Sequence, residues 1–131
     1  MATLSLTGFY ASLLGILYIG LAFNIIRLRR KFKVGIGSGD NKFLAKAIRI
    51  HGNFAEYIPL ALILLAVYEL SGASVMVLHA LGATLVVGRA LHAIGLTKSI
   101  GISIQRQVGM MSTFLVILIL AIENIRSFIV A

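Results

Sequence analysis

The chain has 131 residues, 60% of them hydrophobic, and carries a formal net charge of +8 from 12 lysines and arginines against 4 acids. A mean hydropathy of +1.03 excludes an ordinary soluble domain and leaves room for four short membrane spans with no separate soluble domain. There is no cysteine, which excludes disulfides, thiolate zinc sites and a catalytic thiol of the chain's own.

The first predicted span covers residues 4–26, about 34 Å of helix at 1.5 Å per residue, enough to cross a core of about 30 Å. It opens without a basic n-region and its apolar run is longer than a signal h-region, so it reads as a retained span. Gly8 and Ser12, and Ala11 and Gly15, are small residues four apart, a spacing that lets membrane helices approach.

The first connection is dense in cations: Arg27, Arg29, Arg30, Lys31, Lys33, Lys42 and Lys46 are seven of the twelve bases. Clustered beside apolar spans, they read as a cytoplasmic loop touching anionic headgroups rather than as a nucleic-acid surface. Gly35, Gly37 and Gly39 make a flexible loop. With no strand before it, this G-x-G spacing is no nucleotide site.

The second span, residues 43–70, is the informative one. Its second half is apolar enough for lipid, while its first half carries Arg49, Asn53 and Glu56. At about 100° per residue, Gly52, Asn53 and Glu56 lie within about 60° of Arg49, on one helix face. Such groups are costly inside a membrane without partners or a cavity, so the face reads as a site for a small zwitterionic ligand. Pro59 follows just after it and removes one backbone donor.

A short uncharged connection, Ser71 to Ser74, makes an antiparallel hairpin with the third span, residues 75–96. Ala80, Thr84 and Gly88 form a small-residue line read as a packing seam. Arg89 and His92, three apart, share a face near its far end. His79, at the opposite end, reads as a hydrogen-bonded or interfacial residue. The third connection carries Lys98 and leads through Arg106 into the fourth span, residues 107–125. The distribution of bases puts the first and third connections in the cytoplasm and both termini outside. On that topology Arg27, Arg49, Asn53, Glu56, Arg89, His92 and Arg106 all fall near one leaflet.

The inventory there is four arginines, one carboxylate, one amide and one imidazole. No Ser-His-Asp set, paired carboxylates or H-E-x-x-H pattern is present. His51, His79 and His92 are scattered, so no metal is expected. Guanidinium groups grip carboxylates in a bidentate way, Glu56 can hold an ammonium group, and an arginine beside a thiol stabilises its thiolate. A peptide with two carboxylates, an amine and a thiol fits this inventory.

Arg49-Ile50-His51-Gly52-Asn53-Phe54-Ala55-Glu56, followed by Pro59, resembles the R-x-x-x-N-x-x-E signature of the MAPEG family, the membrane-associated proteins in eicosanoid and glutathione metabolism. Gly88-Arg89-Ala90-Leu91-His92 is similar to the family's third-helix pattern, and Arg27-Leu28-Arg29 to its first-helix exit. The resemblance covers nearly the whole chain and is nearest to the bacterial branch. It implies an all-α integral membrane four-helix bundle assembled as a homotrimer, with glutathione bound between protomers near the cytoplasmic side of a bacterial inner membrane. Arg49, Asn53 and Glu56 would contact glutathione, Arg27 and Arg89 would add charge, His92 would line or brace the pocket, and Arg106 would stabilise the thiolate. The implied activity is transfer of glutathione to hydrophobic electrophiles entering from lipid, with peroxide reduction as a related chemistry. Gly52, Leu96 and Met110 depart from better-studied members, which carry an arginine or tyrosines at these places. The alternatives are a non-enzymatic scaffold or lipid- or anion-binding trimer, and a small transporter, against which the absence of an inverted repeat speaks.

Overall fold

The computed structural model describes residues 3–98 and 103–131. The connection at 99–102, and the side chains of residues 96–98, lie outside the described residues. Four helices account for the rest: α1 (Ser5–Phe32), α2 (Lys42–Leu70), α3 (Val75–Lys98) and α4 (Ile104–Val130). All four are long and apolar enough to cross a membrane. They run alternately up and down. α1 packs on α2 and α3, α2 on α3 and α4, and α3 most extensively on α4.

α1 is longer than its apolar run. Its 28 residues reach about 42 Å, and Arg29, Arg30 and Lys31 form its last turn instead of a loop. Arginine and lysine are good helix formers, and cations at a helix C-terminus complement its dipole. Lys33 closes the helix in the left-handed conformation, φ 56°, with its N–H donated to the Arg29 carbonyl. The glycine segment that follows is fastened rather than free. Arg29 Nη1 donates to the carbonyls of Gly37 at 2.9 Å and Val34 at 3.3 Å. Gly39 has φ +55°, and a Cβ there would come within 2.8 Å of Val34 Cγ2.

Asn41 starts α2 by accepting the Leu44 N–H at 2.9 Å, the usual N-cap arrangement. α2 continues through Pro59 without ending. α4 begins three residues earlier than its apolar pattern, because Ser103 Oγ accepts the Arg106 N–H at 3.2 Å. Leu14, Phe54, Ile58, Leu65, Leu85, Val116 and Leu120 are the centre of one buried cluster drawn from all four helices. Outward residues such as Ile16, Phe23 and Leu118 remain exposed on the single chain, the pattern of a lipid-facing surface. In lipid, van der Waals packing and small residues hold such helices together more than any hydrophobic drive.

The small-residue contacts differ in part from the expected seam. Ala80 and Thr84 are exposed. The close crossing is made instead by Gly88, Gly95 and Gly109, where α3 and α4 meet backbone to backbone. A Cβ on Gly109 would strike the Gly88 carbonyl oxygen and come within 2.7 Å of His92 Cβ, and one on Gly95 would sit 2.7 Å from the Arg106 nitrogen. A Cβ added to Gly8 or Gly15 would meet nothing within 4 Å among the described residues.

At the end of the bundle away from the basic turns, the α2 carboxylate of Glu69 closes α1. Its two oxygens accept the N–H groups of Leu6 at 2.9 Å and Thr7 at 2.7 Å. The hydroxyl of Tyr10 pairs with His79 Nδ1 at 2.8 Å, so His79 is a hydrogen-bonded residue as expected. Glu123 holds Arg126 at 2.6 Å on the same end.

Candidate functional site

Four of the expected residues converge. A cavity of about 620 Å³ between α2, α3 and α4 is lined by Arg49, Asn53, His92 and Arg106, together with Gln107, Met110 and Met111. Each helix brings its side chains there for a local reason. Asn53 lies one turn beyond Arg49 on α2, so the two share a face. His92 is pressed against Gly109 at the glycine crossing. Arg106 stands in the first turn of α4, which Gly95 allows to approach α3 closely. A cation in the first turn opposes the helix dipole, and no acid is among the described residues that line the cavity.

Arg89 lies behind this wall. It is 1% exposed, and its Nη2 donates to Asn53 Oδ1 at 2.6 Å. Its Nη1 reaches Met110 Sδ at 3.4 Å, and the guanidinium stands 5.7 Å over the Phe54 ring. Among the described residues neither its Nε nor the buried Nδ1 of His92 has a hydrogen-bond partner. Glu56 does not line the cavity. It pairs with Arg49 at 3.0 Å on the outer face of α2, where the two side chains are 52% and 62% exposed.

Arg27 is not brought to this cavity within the chain. Its Nη2 donates to Asn24 Oδ1 at 2.9 Å, and it lines a smaller groove between α1 and α2 with Asn24, Phe43 and Lys46. His51, in the middle of the polar signature, instead stacks on Tyr18 of α1 with ring centroids 4.6 Å apart. Residue-by-residue reading of the sequence missed Gln107 and Met111. Both line the cavity beside Arg106, but at one and five positions beyond it they lie about 100° and 140° round α4 from it, so periodicity does not single them out.

An apolar groove of about 330 Å³ runs along the opposite side of α2, between Leu14 and Tyr18 of α1 and Ala55, Ile58 and Pro59.

The cavity is rich in hydrogen-bond donors: two guanidinium groups at its wall, a third immediately behind, and the amides of Asn53 and Gln107. It suits an anion with more than one acceptor group. The MAPEG family model matches residues 7–126 of the chain. The chain is also 35% identical over 116 residues to the inner membrane protein YecN of Escherichia coli strain K12, covering 88% of this chain and 87% of that one. The same figures hold for YecN of E. coli O6:H1.

Proposed function

The chain belongs to the MAPEG family, and from that premise we propose that it is a glutathione-dependent transferase of the bacterial inner membrane. The family includes glutathione transferases. The observation that carries the reading is the convergence of Arg49, Asn53, His92 and Arg106 on one donor-rich cavity, with no acid among the described residues that line it.

In this reading Arg49 and Asn53 hold glutathione's carboxylates, and Glu56, now paired with Arg49, takes its ammonium group. Arg106 stabilises the thiolate, lowering the thiol pKa so that more nucleophile exists at neutral pH. The thiol proton leaves to water. The sulfur then attacks an electrophilic carbon of an apolar acceptor, and the leaving group departs with its electron pair. The acceptor enters from lipid. With a hydroperoxide in place of the electrophile, two thiols would supply the electrons and form a disulfide.

Assembly as a homotrimer belongs to the same proposal. An ion pair exposed on a membrane-spanning helix, as Arg49 and Glu56 are in the single chain, is costly against hydrocarbon. A neighbouring protomer covering that face removes the cost, and would bring its own Arg27 and the α1 groove toward the cavity.

Glutathione titrated into the purified, detergent-solubilised protein tests this through the ultraviolet absorbance of the thiolate. The reading requires a saturable thiolate signal in the wild type that Arg106→Ala abolishes while the assembly stays intact. No signal and no calorimetric binding in the wild type refute it and leave a scaffold or a receptor for another anion.

A further inference from the structure

A buried charge ordinarily has a charged partner, yet no carboxylate among the described residues bonds to Arg89. Arg89 is 1% exposed. The carboxylate of Glu56, one turn beyond Asn53, is engaged by Arg49 instead. The group that meets Arg89 most closely is the neutral amide of Asn53, at 2.6 Å. An aspartate at this position would supply the missing charge with almost no change of shape.

The amide differs from that aspartate on its other side. A guanidinium has five donors and no acceptor, so Asn53 can only turn its oxygen toward Arg89. The choice between amide oxygen and nitrogen, often a matter of assignment, is here decided by chemistry. Asn53 Nδ2 is then left for the cavity that Asn53 lines with Arg49 and Arg106, and none of the described residues accepts a hydrogen bond from it.

We propose that Arg89 is a positioning residue that holds the Asn53 amide with its nitrogen toward the cavity, making that wall a receptor for acceptor-only groups such as carboxylates. The chain keeps an amide where a carboxylate would be more stable, because the carboxylate would repel the ligand. The proposal rests on the glutathione reading above.

The test is calorimetric titration of glutathione into the full chain in detergent, with thermal unfolding of the same samples. Asn53→Asp supplies Arg89 with an anion, so its unfolding midpoint rises, while its glutathione affinity falls at least about tenfold because a donor becomes a like charge. Arg89→Gln can accept as well as donate, which lets Asn53 turn, and its affinity also falls. Arg89→Lys keeps a donor-only cation and retains most of the affinity. A purely structural Arg89–Asn53 pair predicts the rise in midpoint without any loss of binding. An Asn53→Asp variant that binds as the wild type does, or that unfolds earlier, overturns the proposal. A wild type that binds no glutathione overturns the glutathione reading and this proposal with it. Binding by the wild type with unchanged affinity in Asn53→Asp overturns this proposal alone.

Discussion

Gly109→Ala should destabilise the bundle, although alanine is the better helix former. The new Cβ would strike the Gly88 carbonyl oxygen and lie 2.7 Å from His92 Cβ and 2.8 Å from the His92 nitrogen. None of these belongs to the far end of a flexible side chain, so relief requires the two helices to separate. Overpacking of this kind costs about 1–3 kcal/mol. Replacing glycine inside a helix returns about 0.5–1 kcal/mol. The net loss is then between about 0 and 2.5 kcal/mol, centred a little above 1 kcal/mol, or a drop of roughly 4–6 °C in the unfolding midpoint at that centre for a chain of this size. Gly20→Ala is the control, since a Cβ there meets nothing within 4 Å and should leave the midpoint unchanged or raise it. Because His92 is the neighbour displaced, glutathione binding should weaken along with stability. Circular dichroism melts of the three proteins in one detergent decide the matter. A midpoint for Gly109→Ala at or above that of the wild type would refute the close crossing and the placement of His92 that depends on it.

Glu69→Gln removes the carboxylate that closes α1 and should cost about 1 kcal/mol, read as a lower midpoint with unchanged glutathione affinity. Ser103→Ala removes the cap of α4, whose first turn carries Arg106. It should cost about 1 kcal/mol and, unlike Glu69→Gln, weaken the thiolate signal in the same ultraviolet titration. Glutathione at about 100 times its dissociation constant should stabilise the wild type by about 2.7 kcal/mol. Differential scanning calorimetry should show that gain disappear in Arg106→Ala.

The four spans were legible because lipid demands long uninterrupted apolar helices. The helix boundaries were less so. The basic turns Arg29 to Lys31 extend α1 and Ser103 starts α4 early, and both effects come from propensity and capping rather than hydropathy. The α2 face carrying Arg49 and Asn53 followed directly from a period of 3.6. What stood across from it did not. The bond from Arg89 to Asn53 spans 36 positions, and no local rule reveals that Arg89 is buried while Arg106 lines the cavity. Arg27 stands on the wrong side of α2 to reach the cavity within one chain, since span order leaves rotation about the bundle open. The glycines of α3 and α4 were visible as small residues, but only the packed pair distinguishes Gly88, buried against α4, from Ala80 and Thr84, which are exposed.

The carboxylate of Glu69 also bears on how the protein is made. A new helix leaves its first backbone N–H groups without partners inside its own turns. Those of Leu6 and Thr7 find theirs more than sixty residues later in the chain, at the end of α2. During synthesis, α1 reaches the bilayer with that end unfinished. It is completed only when the second crossing delivers Glu69 to the same surface. The α1–α2 hairpin is the shortest stretch in which both N–H groups have this partner, and a ribosome-bound chain truncated before Glu69 would carry a first helix whose starting N–H groups still depend on water or headgroups.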